Sequence, residues 1–159
     1  MAPITVGDTV PDGTLHWFDE NDELQKLSIH SVAAGKKILI IGVPGAFNPI
    51  FSVQHLPGFI PSAEKLKFKG VDEIVLIGVN DSFVMKAWAK RYPDHSRVKF
   101  LADESSRILG LELDLSEKAP AVHSHGYAFL LEDLKVKVAN VKQGGDFTIS
   151  DAEEILESL

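Results

Sequence analysis

Two segments, 36–43 and 74–79, dominate the pattern of hydrophobic and polar positions, because the first is almost wholly apolar after two lysines and the second contains no polar side chain. A strand buried on both faces has this continuous apolar pattern, whereas a half-exposed strand alternates apolar and polar residues. The pattern therefore predicts two central strands of a sheet. Each is followed by a helical segment, 51–69 and 82–92, and Pro57-Gly58 predicts a bend in the first of these helices.

Shorter elements continue the alternation of strand and helix. The predicted helix 82–92 carries Val84, Met85 and Trp88 on one side, and a capping box at 150–153 opens a last helix that runs to Leu159. The remaining predicted elements are short strands at 6–10, 15–18, 24–29 and 98–101, a short helix at 108–111, and a hairpin of 127–131 and 135–141. Together they predict an α/β fold with a mixed sheet, in one domain that spans 1–159.

Composition restricts the chemistry. The chain of 159 residues is long enough to bury about 68–70% of its unfolded surface. It contains no cysteine, which excludes every thiol–disulfide exchange step on this chain. A net charge of −7 argues against nucleic acid or an anionic membrane as the main partner. The chain has no apolar run of transmembrane length and no signal-peptide pattern at its start, so we expect a cytoplasmic location.

Separated segments along the whole chain resemble one protein family, the type II (Prx5-like) peroxiredoxins, and their spacing resembles the plant cytosolic branch. The segments are Val6-Gly7-Asp8, Gly42-Val43-Pro44-Gly45-Ala46-Phe47, His55-Leu56-Pro57-Gly58-Phe59, Lys69-Gly70-Val71-Asp72, Val79-Asn80-Asp81, Phe83-Val84, Ala102-Asp103 and 109–114. The resemblance implies a thioredoxin-like fold of the peroxiredoxin type, with a mixed central sheet flanked by helices. Fold alone does not imply function.

The same resemblance identifies which catalytic positions have changed. Pro44 matches the proline that shields the peroxide pocket of the family and is retained. Asn48 stands where the family has the threonine that holds the peroxide, and Phe51 stands where it has the attacking cysteine. Gly126 stands where it has the arginine that lowers the thiol pKa. Because a phenyl ring offers neither an ionisable proton nor a lone pair, the resemblance predicts a relative that has lost thiol peroxidase activity.

Loss of the arginine and gain of Phe51 change the predicted pocket from an anion-stabilising site to an apolar one. One hypothesis is that Phe51 merely fills a disused site. The other is that the cleft bounded by Pro44, Phe47, Asn48, Phe51 and Gly126 is enlarged and binds a small apolar organic molecule. In that case Asn48, which has a donor and an acceptor, anchors one polar group of the ligand.

His123 and His125 are candidates for general acid or base. They alternate around Ser124 and therefore share one side of a regular strand. If position 126 faces the pocket, as the family arginine does, an ideal strand turns both histidines away, whereas a loop or bulge could reverse this. No third ligand is spaced to complete a metal site with them, and no cofactor is expected.

Two classes of function remain open. The chain is either a ligand binder or enzyme of the isomerase, lyase or cyclase type, with redox-neutral acid–base chemistry by His125, His123 and Asn48, or a non-catalytic homologue that acts by dimerisation or protein–protein interaction. The family forms dimers through loops around the active-site segment. Phe47, Phe83 and a loop at 102–108, shorter than in relatives, are compatible with either class. A homodimer is expected in both.

Overall fold

The computed structural model describes residues 6–10, 12–43, 47, 56–78, 80–92, 98–103, 112–113, 123–124 and 127–141. Its elements, in chain order, are β1 (Thr14–Phe18), β2 (Leu24–Ser28), α1 (Ile29–Ala33), β3 (Lys37–Val43), α2 (Leu56–Phe68), β4 (Glu73–Gly78), α3 (Ser82–Ala89), β5 (Lys99–Ala102), β6 (Glu112–Leu113), β7 (His123–Ser124), β8 (Tyr127–Glu132) and β9 (Lys135–Val141). The mixed α/β fold that the sequence predicts is confirmed.

Seven of these strands form one sheet, in the order β2-β1-β5-β4-β3-β8-β9, and β6 pairs with β7 separately. At the centre, β4 lies parallel to both β3 and β5, while β3 pairs antiparallel with β8. Every residue from Ile38 to Val43 is buried. Their side chains alternate between two hydrophobic cores, since Leu39 and Ile41 belong to one and Ile38 and Ile40 to the other. Burial on both faces explains the continuous apolar pattern.

Helices α2 and α3 cover one of these faces. Ala63 and Leu66 of α2 and Met85 and Trp88 of α3 join Leu39 in the same core. The Asp81 side chain caps α3 by accepting a hydrogen bond of 2.8 Å from the backbone N–H of Val84. The buried side of α3 therefore carries Met85 and Trp88, as predicted.

Val84 departs from that prediction, because it is only half-buried. Ala89 and the N-terminal Ser82 complete the buried side instead. Phe83 lies on the opposite side of the helix and is 72% exposed. The buried face of α3 is therefore centred further from Val84 around the helix axis than the sequence predicts.

Two local predictions are wrong. Residues 6–10 form no regular strand, because Thr9 makes a single isolated bridge to Lys135 and Gly7 has a φ of +95°. The predicted strand 24–29 ends at Ser28, which begins the helix α1 that the sequence analysis missed. There the Ser28 hydroxyl accepts from the Ser31 backbone N–H at 3.0 Å, and the Ser31 hydroxyl accepts from the Ser28 N–H at 3.2 Å. A reciprocal serine cap of this kind starts a helix without the glutamate that usually marks one.

The predicted hairpin is confirmed as β8 and β9, joined at Asp133-Leu134, where both φ values are positive. The β6–β7 pair was not predicted. Of the long helix predicted at 51–69, the described part is α2, Leu56–Phe68. Pro57-Gly58, where the bend was predicted, lie in the first turn of this described part. Residues 51–55, 108–111 and 150–159 lie outside the described residues.

Candidate functional site

The described strands converge where the sequence analysis placed the cleft. In the β3–β8 register Gly42 lies opposite Tyr127, and β3 ends one residue later at Val43. Pro44 follows β3 directly in the sequence, and Gly126 directly precedes β8. The ladder therefore brings together the strand ends from which the two halves of the predicted cleft continue.

Of the predicted cleft residues, Phe47 is the one whose side chain the structure describes. Its φ is +64°, a conformation that costs a bulky L-residue about 1–2 kcal/mol. Its ring centre lies 6.3 Å from that of Trp88, in a tilted arrangement, and 5.5 Å from the guanidinium carbon of Arg91. The ring is nevertheless 40% exposed. Contacts with Trp88 of α3 and with Arg91, two residues beyond the end of α3, thus hold Phe47 in a strained conformation at the surface.

Trp88 supports Phe47 from within the core. It is fully buried and makes edge-to-face contacts with Tyr92 at 6.2 Å and with Phe100 at 5.8 Å. Tyr92 and Phe100 stack on each other at 6.3 Å. Aromatic pairs of this geometry each contribute about 0.5–1.5 kcal/mol beyond their burial. The position of Phe47 is therefore tied to a rigid cluster.

Arg91 is a residue at this site that sequence reasoning missed. It lies in the turn just beyond the end of α3, where its backbone N–H donates to the Trp88 carbonyl oxygen at 3.1 Å. Its guanidinium lies over the Phe47 ring, where cation–π attraction is worth about 0.5–1 kcal/mol at an exposed position. The three-residue spacing could have indicated that Arg91 lies near Trp88, but nothing in the sequence linked either residue to Phe47.

His123 lies in a strand, as the sequence analysis assumed. In β7 it pairs with Leu113, and Ser124 pairs with Glu112. This ladder defines the backbone at 123–124. Pro44, Asn48, Phe51, His125 and Gly126 fall outside the described residues, so their predicted roles stay predictions.

The carboxyl groups with resolved pKa shifts lie in turns and caps away from Phe47. The backbone N–H of His30 lowers the pKa of Asp12, and the backbone N–H of Glu23 lowers that of Asp19. A hydrogen bond from Lys86 lowers the pKa of Asp22. These shifts reflect charge-stabilising bonds within the fold. Within the described ranges, no three histidine or carboxylate side chains cluster as metal ligands, and no helix is long and apolar enough to cross a bilayer.

Comparison with known proteins finds relatives of one family. The family model described as Redoxin matches residues 5–156. The chain is 60% identical over 162 aligned residues to Peroxiredoxin-2C of Arabidopsis thaliana and to Peroxiredoxin-2C of Oryza sativa subsp. japonica. Each alignment covers 100% of this chain and 100% of the relative.

Solved structures agree with these sequence relatives. Reduced Prx3 in complex with H2O2 from Vibrio vulnificus matches with a TM-score of 0.88 at 37% identity, and the match covers 98% of each chain. Peroxiredoxin 5 from Alvinella pompejana matches with a TM-score of 0.81 at 33% identity, over 98% of this chain and 97% of that one. The thioredoxin-like fold of the peroxiredoxin type is therefore confirmed.

Proposed function

This chain belongs to the Redoxin family as a peroxiredoxin homologue, and from that premise we propose that it has lost thiol peroxidase activity and that its former active-site cleft binds a small apolar organic molecule. The observation that carries the proposal is the absence of cysteine from all 159 residues. Peroxide reduction in this family passes through a cysteine thiolate, and methionine cannot replace it in a cycle driven by thiol reductants.

The described scaffold beside the cleft supports continued use of that region. Phe47 keeps a strained backbone and an exposed aromatic face, although strain and an exposed ring both cost stability. Trp88 and Arg91 hold the ring in place. Strain is most often retained at sites that bind or react, so its presence at Phe47, four residues before the changed cysteine position in the sequence, favours ligand binding over a merely filled site.

The residue exchanges define the class of ligand. Phe51 and Gly126 replace a nucleophile and a cation, so the cleft favours apolar groups. Asn48 orients one polar substituent, and His125 or His123 supplies or removes a proton in a redox-neutral isomerisation, elimination or ring closure that needs no cofactor. We place this activity in the cytoplasm.

Binding is tested with two probes, indole and the monoterpene alcohol geraniol, by calorimetric titration and by the rise of melting temperature with ligand concentration. We expect saturable binding of at least one probe. Gly126→Leu should abolish binding, since the added side chain occupies the predicted cleft, with little loss of fold. Lys67→Leu adds the same apolar side chain to the exposed face of α2 and serves as the control. Absence of binding, or equal binding by Gly126→Leu, would refute the proposal.

Catalysis is tested separately from binding. His125→Ala should slow turnover of a substrate without greatly weakening its binding, as expected for a group that acts in proton transfer. An equal loss of binding and turnover would assign His125 a structural role instead. His30→Ala, at α1, is the matched histidine control.

One observation favours a second candidate function, assembly as a homodimer. Phe83 is 72% exposed and Phe47 is 40% exposed, and both lie on or against α3. Aromatic side chains are enriched in protein–protein interfaces relative to the rest of a protein surface. Phe83→Glu should halve the mass measured by sedimentation, whereas Phe68→Glu should not, although Phe68 on α2 is even more exposed at 93%. A wild-type monomer would exclude this function.

A further inference from the structure

A groove of about 480 Å³ lies on the other flank of α3, and neither the family resemblance nor the proposed function uses it. The turn between β1 and β2 forms one wall, the start of β5 forms the floor, and the second half of α3 forms the other wall. Phe47 is not among its lining residues. The volume is within the range of about 300–1,000 Å³ that is typical of small-molecule sites.

The surfaces of this groove are aromatic. Trp17 and Phe18 are half-buried at the end of β1, and Phe100 of β5 is only 7% exposed. Val98 and Ala89 complete the apolar lining. Planar aromatic walls favour a planar ligand, because ring faces stack on one another in offset or edge-to-face geometry.

Three ammonium groups line the same groove, on Lys86, Lys90 and Lys99. The Lys99 Nζ atom lies 5.3 Å from the centre of the Trp17 ring system, and the Lys86 Nζ atom lies 5.1 Å from the centre of the Phe18 ring. Each also has one carboxylate partner, Glu73 at 3.2 Å for Lys99 and Asp22 at 2.5 Å for Lys86. Since an ammonium group has three N–H donors, both keep donors for a ligand.

The acidic residues of the groove are more fully engaged within the protein. The Asp19 carboxylate accepts from the backbone N–H groups of Asn21 at 2.8 Å and Glu23 at 3.0 Å, and from Gln25 Nε2 at 2.8 Å. Asp22 is paired with Lys86. Glu20 is the third lining carboxylate. The Asp19 carboxylate is therefore largely occupied within its own turn, whereas Lys90 and Lys99 present N–H donors to the groove that can bind an anionic group of a ligand.

We propose that this groove is a second binding site, for a planar aromatic carboxylate whose ring stacks on Trp17 and Phe18 and whose carboxylate is bound by Lys90 and Lys99. The site is independent of the cleft at Phe51, because Phe47 approaches α3 from the Trp88 and Arg91 side. Its ligand differs from that of the cleft in needing a negative charge.

The chain has two tryptophans, which allows a direct test. Trp17 lines the groove, whereas Trp88 is fully buried behind it. In a nitrogen-15 correlation spectrum the two indole N–H signals are assigned with Trp17→Phe. Titration with 2-naphthoate should shift the Trp17 signal saturably. The uncharged 2-naphthamide, which has the same ring system, should bind more weakly.

Lysine variants test the role of charge. Lys90→Gln and Lys99→Gln should each weaken 2-naphthoate binding about two- to fivefold, as for exposed ion pairs, and leave 2-naphthamide binding unchanged. Lys67→Gln, on the exposed face of α2, is the matched control and should change neither. Because Lys90 is exposed at the end of α3, its replacement should not disturb the Trp17 ring even if that of Lys99 does.

Three results would each overturn the proposal: no shift of the Trp17 signal at millimolar 2-naphthoate, equal affinity for acid and amide, or equal effects of the groove and control variants. If 2-naphthoate instead shifted the Gly126 signal and not that of Trp17, the groove site would be excluded and the cleft proposal would stand. The two proposals therefore fail separately.

Discussion

The two flanks of α3 hold their aromatic side chains by different means. On one flank Phe47 has a φ of +64° and rests on Trp88 and Arg91. On the other, Phe18 lies in a regular strand, 4.9 Å from Phe83 and beneath Lys86, which is paired with Asp22. Backbone strain marks the first flank, and lysine–carboxylate pairs mark the second. The two flanks therefore present aromatic rings by different means, by strain beside the inherited cleft and by neighbouring charges at the proposed groove.

The largest expected effect concerns the inherited cleft. Phe51→Cys alone should give feeble peroxidase activity, because without the family arginine its thiol should stay near the ordinary pKa of about 8.5. Adding Gly126→Arg and Asn48→Thr should raise the rate by about tenfold or more above the product of the single effects, as in residues that act as a unit. Peroxide consumption with a dithiol reductant measures this.

Phe68→Cys provides the control for that experiment, since it places a thiol at a 93% exposed position on α2 and reports the unassisted rate. If Phe51→Cys alone matched the triple variant, the roles assigned to Asn48 and Gly126 would be wrong. The unaltered protein should consume no peroxide above the buffer rate. Activity of metal-free, unaltered protein would overturn the loss of peroxidase function.

The next largest effect concerns the packing of α3 against β4, which positions both flanks of the helix. Gly78 ends β4 under α3, and a Cβ atom there would lie 2.6 Å from the sulfur of Met85 and 3.4 Å from a methyl group of Val43. Gly78→Ala should therefore destabilise the protein by about 1–3 kcal/mol in urea unfolding. Met85→Ala in the same chain should remove part of this cost, and strict additivity of the two changes would show that the contact is not responsible.

A smaller effect isolates the strain at Phe47. Phe47→Gly and Phe47→Ala both remove the ring, but glycine adopts positive φ without penalty. Phe47→Gly should therefore be more stable than Phe47→Ala by about 1 kcal/mol, measured by urea unfolding. The same exchange in the exposed middle of α3, Ala87→Gly, should destabilise by about 1 kcal/mol. If glycine were less stable than alanine at position 47 as well as at position 87, the backbone at Phe47 would not be strained, and strain would not distinguish the two flanks.

The smallest expected effect is on the Phe18 flank. The hydrogen bond from Lys86 lowers the pKa of Asp22 below its ordinary 3.8, so the bond stabilises the fold above that value and is lost as pH falls through the folded-state pKa. Asp22→Asn should flatten the acid side of a stability profile recorded from about pH 7 to about pH 2. Glu20→Gln removes a charge from the same turn and should retain the wild-type slope. An unchanged profile in Asp22→Asn would show that the pair contributes nothing measurable.

The hydrophobic pattern of the sequence was sufficient to predict the central strands but not the elements at the edges of the fold. Ile38 to Val43 are apolar because both faces of β3 are covered, and this one cause produces both the sequence pattern and the burial. Helix α1 was missed because its cap is a pair of serines, whose hydroxyls bond equally well in turns. Residues 6–10 have a strand-like composition and donate backbone hydrogen bonds to 134–136, but with a positive φ at Gly7 they form a single isolated bridge in place of a regular strand.

The candidate site shows a similar division. Family resemblance could identify positions 48, 51 and 126, because they are read from aligned residues one at a time. It could not identify Arg91 or the positive φ of Phe47, which depend on how α3 approaches the strand ends. The groove was missed for the same reason. Trp17 and Lys99 are far apart in the sequence and meet because β1 pairs with β5.

That pairing also governs the order in which the chain can fold as it is synthesised. The β1–β2 hairpin is made first, yet it joins the sheet only through β5, which lies between β1 and β4. Until Ala102 has left the ribosome, the hairpin has no central strand to join and β4 has an open edge. A two-stranded hairpin alone is marginally stable in water. The hairpin, which ends at Ser28, therefore remains accessible to chaperones and proteases until β5 at Lys99–Ala102 has been synthesised.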